Sequence, residues 1–161
     1  MAKVELLAAF CLLSSVASLA SPSTPTFTVE GRVYCDTCRA GFETNVTEYI
    51  PGAKAKVSCT HFSTGKVEHS NDGVTDSTGT YKIAVVDDHD EEICEVVLVE
   101  SPFADCKEIK FGRDRGQVLL SSDAGISNSV RHANSLGFLR DEPLPGCEKL
   151  LKEYYGIGEE E

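Results

Sequence analysis

The sequence has few basic residues, no tryptophan and a single methionine. Its 161 residues contain 15 Lys and Arg against 26 Asp and Glu, which gives a formal net charge of −11. Because binding to nucleic acid or to an anionic membrane needs clustered cations, this balance argues against both. A chain that is poor in Met and Trp but has seven cysteines is typical of a small disulfide-linked domain. The apolar fraction of 41% is large enough for a packed core, which excludes wholesale disorder.

Familiar catalytic motifs are also missing. There is no Gly-x-Ser-x-Gly nucleophile elbow and no His-Glu-x-x-His zinc motif. The histidines His61, His69, His89 and His132 are far apart in the sequence. Two carboxylates for glycoside hydrolysis would meet only in the folded chain, and no pattern favours such a pair. We therefore predict a protein that is not an enzyme, with no catalytic, cofactor-binding or metal-ligating residues.

The first 20 residues have the pattern of a secretory signal peptide. Lys3 precedes an apolar stretch from Leu6 to Leu13, and small residues predict cleavage between Ala20 and Ser21. This stretch is too short to cross a hydrocarbon layer of about 30 Å, and no later stretch approaches the length of a membrane span. We expect a secreted, extracellular protein that does not insert into membranes.

Cleavage at this point would change the cysteine count from odd to even. It removes Cys11 and leaves six cysteines in an oxidising compartment, which is the pattern of a disulfide framework. Six cysteines allow 15 connectivities, and the sequence alone does not choose among them. The six are Cys35, Cys38, Cys59, Cys94, Cys106 and Cys147.

The mature chain is predicted to have three parts: a flexible leader at 21–26, a β domain at 27–155 and an acidic tail at 156–161. Apolar residues alternate with polar ones in the domain, which indicates strands with one buried face. Short strands with frequent turns indicate an all-β Greek-key sandwich or barrel. Strands are predicted at 27–34, 53–59, 81–85, 93–99, 117–120 and 137–139, turns at 63–66 and 71–73, and a short helix at 148–155.

Two polar segments could suggest a metal or redox site. Cys35-Asp36-Thr37-Cys38 has the spacing of a redox dithiol, but little helical character follows it, and no second cysteine pair completes a zinc site. The acidic run at 87–92 lacks the glycine of a calcium-binding loop and lies between predicted strands. We interpret the cysteines as disulfide partners and the acidic run as a solvated loop.

Asn45-Val46-Thr47 matches the acceptor sequence for N-glycosylation. The motif matters only if the chain is exported, because glycans are added in the secretory pathway. It lies in a polar segment between the first strand and the Pro51-Gly52 turn. We predict a glycan at Asn45.

The segment Gly31-Arg32-Val33-Tyr34-Cys35-Asp36-Thr37-Cys38-Arg39 resembles the signature of the Ole e I-like family, the olive-type pollen proteins and their extensin-domain relatives. The order of the six cysteines agrees with that family, as do Pro51-Gly52-Ala53 and Glu92-Ile93-Cys94. The segment Ala40-Gly41-Phe42-Glu43-Thr44-Asn45-Val46 is most similar to the grass-pollen members. The resemblance covers roughly residues 27–155.

This resemblance implies a seven-stranded β-sandwich or barrel with three disulfides, to which the residues add the short C-terminal helix. Residue by residue, the implied pairs are Cys35–Cys106, Cys38–Cys147 and Cys59–Cys94. The strand patterns independently support the last pair, because Cys59 and Cys94 both lie on the inward face of a strand. They leave the other two pairings open.

The resemblance also implies a function and a tissue. Members of the family are secreted pollen proteins with proposed roles in hydration, germination and tube growth, and several are allergens. We therefore expect a non-enzymatic protein that binds a cell-surface or cell-wall partner, needs no cofactor and binds no nucleic acid. The alternative is a secreted protease inhibitor that presents a rigid loop, for which Phe103-Ala104-Asp105-Cys106 is the candidate.

Overall fold

Two open β-sheets with a shared core form the fold in the computed structural model, which describes residues 27–157. This part of the chain has ten strands, of which seven have four residues or more. The short strands account for the difference from the seven that the family resemblance implies. The strands are β1 (Phe27–Asp36), β2 (Glu48–Tyr49), β3 (Lys54–His61), β4 (Val67–Val74), β5 (Thr80–Val85), β6 (Glu92–Glu100), β7 (Cys106–Glu108), β8 (Arg115–Val118), β9 (Val130–His132) and β10 (Leu136–Arg140).

The long first strand organises one of the two sheets. The first half of β1 pairs with β5 on one side and β9 on the other, and its second half pairs with β2 and β10. The second sheet is antiparallel throughout, in the order β4-β3-β6-β8. Neither sheet closes on itself, so the sandwich form of the prediction is confirmed and the barrel form is not.

The core lies between the sheets and follows the alternation in the sequence. Ala55, Val57 and Cys59 of β3 are at most 1% exposed, and they pack with inward-facing residues of β1, β5 and β6. A short helix, α1 (Cys147–Tyr154), closes the described chain, and a 3-10 turn covers Ser122–Ala124. The predicted long strands and the C-terminal helix are therefore confirmed.

The predicted turn at 71–73 is wrong, because these residues lie inside β4. This strand is at the edge of its sheet and is mostly solvent-exposed, so it lacks the apolar alternation that marks a strand with a buried face. Gly73 faces inward opposite Ala55, and a Cβ atom there would lie 2.4 Å from the side chain of Ile83. The glycine is needed for close packing rather than for a turn.

Tyr81 is fully buried, and its hydroxyl group has no hydrogen-bond partner among residues 27–157. A buried hydroxyl without a partner costs about 1–3 kcal/mol. We therefore expect Tyr81→Phe to raise the free energy of unfolding by about 1 kcal/mol, because it removes the hydroxyl and keeps the ring. Urea unfolding of the two proteins tests this, and a variant less stable than the wild type would contradict it.

The same substitution should also change the alkaline limit of stability. Burial raises the pKa of Tyr81, and burial together with the nearby carboxylates of Asp36 and Glu43 raises the pKa of Tyr34 to about 12. The unfolded chain then releases these protons first, near pH 10. The stability that depends on them is complete below about pH 10 and is lost as the pH rises towards 12. We expect Tyr81→Phe to lose less stability over this range than the wild type.

Candidate functional site

The six described cysteines form three disulfides. Cys35–Cys106 joins β1 to β7, Cys38–Cys147 joins the loop after β1 to the start of α1, and Cys59–Cys94 joins register partners on β3 and β6. These are the pairs that the family resemblance implies. Each cysteine of the Cys35-x-x-Cys38 motif pairs with a distant cysteine, so the motif holds no dithiol that could exchange electrons.

The remaining residues of the signature motif hold this corner in place. The buried carboxylate of Asp36 accepts hydrogen bonds from the backbone N–H groups of Ala40 and Gly41, at 2.9 and 2.6 Å. The Arg39 guanidinium donates to both carboxylate oxygens of Glu108 on β7, at 2.7 and 3.0 Å. The signature segment therefore holds a disulfide-linked corner of the sandwich in place.

The outer face of the four-stranded sheet carries a row of apolar side chains. Val67 on β4 and Ile93 on β6 are both register partners of Thr60 on β3. Leu119 follows Val118, the β8 partner of Cys94, and so extends the row across the sheet. We call Val67, Ile93 and Leu119 the outer apolar row; their exposed fractions are 61%, 48% and 58%.

The row faces solvent because its neighbours along the strands face the core. Cys94 and Val118 are buried, and the alternation of a strand turns the adjacent side chains outward. Ile93 and Leu119 line a shallow depression of about 330 Å³. Contiguous exposed apolar residues are less common on monomers than isolated ones and mark interaction sites.

A cluster of histidines and acids lies at one end of the four-stranded sheet. The structure brings His61, His69 and His89 around a single depression with acidic side chains, whereas the sequence shows them far apart. His69 and His89 meet edge to face, with 4.8 Å between ring centroids, and the Nδ1 atom of each contacts the carboxylate of Glu92. His132 lies outside the cluster, exposed on β9.

The interpretation of residues 87–92 as a solvated loop is wrong in part. The side chains of His89 and Glu92 are 1% and 6% exposed, although Asp90 and Glu91 are exposed as expected. Burial is the largest influence on the pKa of Glu92 and raises it, but hydrogen bonds to His89 and His69 outweigh burial and hold that pKa below its ordinary value. Glu92 is therefore ionised at neutral pH inside a largely buried cluster.

The loop proposed for protease inhibition is held against the core. Phe103 is half-buried and packs on the core cluster, and its backbone N–H donates to Ser101 Oγ at 3.2 Å. Asp105 pairs with Arg140 at 2.6 Å, and Cys106 is buried in its disulfide. The core holds the two ends of this loop, while Ala104 and Asp105 at its centre are exposed and Asp105 is engaged by Arg140.

Asn45 is exposed in a turn between β1 and β2. The hydroxyl of Thr47, the third residue of the acceptor motif, accepts a hydrogen bond from the Thr44 backbone N–H at 2.8 Å. The predicted signal peptide with its cleavage site at Ala20 and Ser21, the leader at 21–26 and most of the acidic tail lie outside the described residues. Within residues 27–157, no helix has the length and apolar character needed to span a membrane.

Comparison with known proteins agrees with the family resemblance and with the fold. The sequence model of the family described as "Pollen protein Ole e 1 like" matches residues 25–155. The chain belongs to this family. That match nearly coincides with the domain predicted at 27–155.

Relatives in this family include proteins of grass and plantain pollen. The chain is 57% identical to "Pollen-specific protein C13" of Zea mays, over 89% of this chain and 84% of that protein. It is 49% identical to "Major pollen allergen Lol p 11" of Lolium perenne, over 81% of this chain and 98% of the allergen. The crystal structure of the major plantain pollen allergen Pla l 1 superposes with a TM-score of 0.68 at 35% identity, covering 75% of this chain and 98% of Pla l 1.

Proposed function

We propose that this pollen protein is exported and acts in hydration, germination or tube growth by binding a cell-surface or cell-wall protein through the outer apolar row. The observation that carries the proposal is the row itself, in which Ile93 and Leu119 are neighbours and Val67 lies on the far side of Thr60, all three exposed on one sheet face. Burying such a row against a partner would release about 25 cal/mol for each Å² of apolar surface.

The rest of the molecule supports binding rather than catalysis. Depressions formed by the described residues have volumes of about 220–330 Å³, at or below the lower end for small-molecule sites. The signature motif serves the disulfide corner, and the sheets are fixed by bonds that form in an oxidising compartment. A rigid scaffold of this kind loses little conformational entropy when it binds through its surface.

Export, glycosylation and allergenicity belong to the same proposal. The N-terminal signal pattern supports export, and exposure of the turn at Asn45 makes the acceptor accessible to glycosylation. Allergen names among the relatives support the expectation that this protein is also recognised by sera from allergic patients.

The binding proposal can be tested with two variants of the same residue type on the same strand. Val67 and Val74 lie at opposite ends of β4 and are 61% and 60% exposed, but only Val67 belongs to the outer apolar row. We expect Val67→Lys to weaken saturable binding of labelled, secreted protein to growing pollen tubes by at least about tenfold, since a buried lysine without a partner costs more than 1.4 kcal/mol.

Val74→Lys is the matched control and should bind as the wild type does, because it adds the same charge about 23 Å away along the strand. Equal loss in both variants would show a general charge effect and contradict the assignment of this face. Absence of saturable binding by the wild type would contradict the proposed function itself.

A further inference from the structure

In the cluster of His69, His89 and Glu92, the two ring nitrogens of His89 have different partners. The Nε2 atom of His89 lies 3.0 Å from the carbonyl oxygen of Val86. A carbonyl oxygen only accepts hydrogen bonds, so this ring nitrogen carries a proton. The other nitrogen, Nδ1, contacts the carboxylate of Glu92, where it can either donate a proton to that carboxylate or, without the proton, offer a lone pair to a metal ion.

Two acceptors that face each other in a buried site need a cation between them. His89 and Glu92 are almost fully buried, so water does not screen the repulsion between the lone pair and the carboxylate. A proton on Nδ1 would meet the need, and so would a metal ion. The bond from Nε2–H of His89 to a backbone carbonyl is the arrangement that orients metal-ligating histidines in proteins.

His69 brings a further nitrogen atom to the same carboxylate. Its Nδ1 atom lies 2.9 and 3.1 Å from the two carboxylate oxygens of Glu92, and its side chain is 52% exposed at the sheet edge. Ligand atoms around tetrahedral zinc, at 2.0–2.1 Å from the metal, are about 3.3 Å apart. His69 Nδ1 is within a few tenths of an ångström of that distance from Glu92, whereas His89 Nδ1 lies closer to the carboxylate, so these two side chains must move apart to admit the ion. The exposed side of His69 provides an entry path and room for a water as fourth ligand.

We propose that His69 Nδ1, His89 Nδ1 and the Glu92 carboxylate form a Zn²⁺ site in the oxidised protein. Two histidines and one carboxylate are a donor set that zinc accepts. The Sγ atoms of Cys59 and Cys94 also lie within 4.8 Å of the donor atoms of His89 and Glu92. They are bonded to each other as a disulfide and have no thiolate to offer, so they form an apolar wall of the site.

Calorimetric titration of ZnCl₂ into secreted full-length protein at about pH 7.5 tests the site, after a thiol assay has shown that all described cysteines are oxidised. We expect one Zn²⁺ per chain and an affinity at least about tenfold lower in His69→Gln. His69 is half-exposed, so this variant should fold. Each protein is compared with its own metal-free melting temperature, and only the wild type should gain thermal stability with Zn²⁺.

His132→Gln is the matched control, because His132 is an exposed histidine outside the cluster. It should bind Zn²⁺ as the wild type does. Three results would overturn the proposal: no stoichiometric binding by the wild type, equal loss in His69→Gln and His132→Gln, or binding that begins only after the disulfides are reduced. The first would mean that a proton alone holds His89 and Glu92 together.

Discussion

Alanine at both Cys38 and Cys147 is expected to lower the free energy of unfolding by about 2–5 kcal/mol, which is a large part of the stability of a domain of this size. This disulfide has the largest sequence separation of the three, 109 residues, so its loss frees the most chain in the unfolded state. It also anchors α1, whose only buried residue is Cys147. Urea unfolding at neutral pH measures the change.

Loss of this disulfide should act mainly on the unfolded state. Without the Cys38–Cys147 bond the unfolded chain expands, so we expect the dependence of stability on urea concentration to become steeper. Full reduction of the wild-type protein serves as the control and should cost more than the double variant, because it opens all three disulfides. If the free energy of unfolding falls by less than about 1 kcal/mol and its dependence on urea is unchanged, this disulfide does not stabilise the fold by restricting the unfolded chain.

Arg131→Met is expected to lower the free energy of unfolding by about 3 kcal/mol, because it leaves one buried and two partly buried carbonyl groups without a donor. Arg131 is 5% exposed, and its guanidinium donates to the backbone carbonyls of Leu119, Ser121 and Asn128. It also lies over the ring of Phe27, 4.8 Å from the ring centroid. These contacts tie the segment after β8 to β9 and β1, and a methionine would keep the volume but none of the hydrogen bonds.

Arg32→Met is the control for this prediction. Arg32, on β1, also lies over an aromatic ring, 3.6 Å from the ring centroid of Tyr49, but it is exposed. Removing an exposed cation from an aromatic ring should cost no more than about 1 kcal/mol. If Arg131→Met unfolds at the same urea concentration as the wild type, or costs no more than Arg32→Met, the buried hydrogen bonds do not stabilise the fold as we argue.

The sequence predicted the parts of the fold that have a strong period. In β1, β3, β5 and β6 apolar residues alternate with polar ones, because one face of each strand is buried in the core. The strands β2, β7 and β9 have only two or three residues, too few to show any period. β4 was not predicted because it is an exposed edge strand. Its pairing with β3 holds it in the sheet, and its own side chains show no apolar alternation.

The candidate sites were harder to predict, because they form between distant segments. His69 and Glu92 are 23 residues apart, and only the pairing of β4, β3 and β6 brings them into contact. Nothing in the sequence marks Arg131 as a buried residue, because its partners are backbone carbonyl groups, which any residue supplies. The outer apolar row is likewise visible only after the register of three strands is known.

The central claim is that oxidation after export fixes a sandwich that acts through its surface. Peptide mapping by mass spectrometry of secreted protein, under non-reducing conditions, tests this claim most directly. The account predicts a mature chain that starts at Ser21, the pairs Cys35–Cys106, Cys38–Cys147 and Cys59–Cys94, a glycan on Asn45 and no free thiol. Free thiols at any of these six positions, or a different pairing, would contradict it.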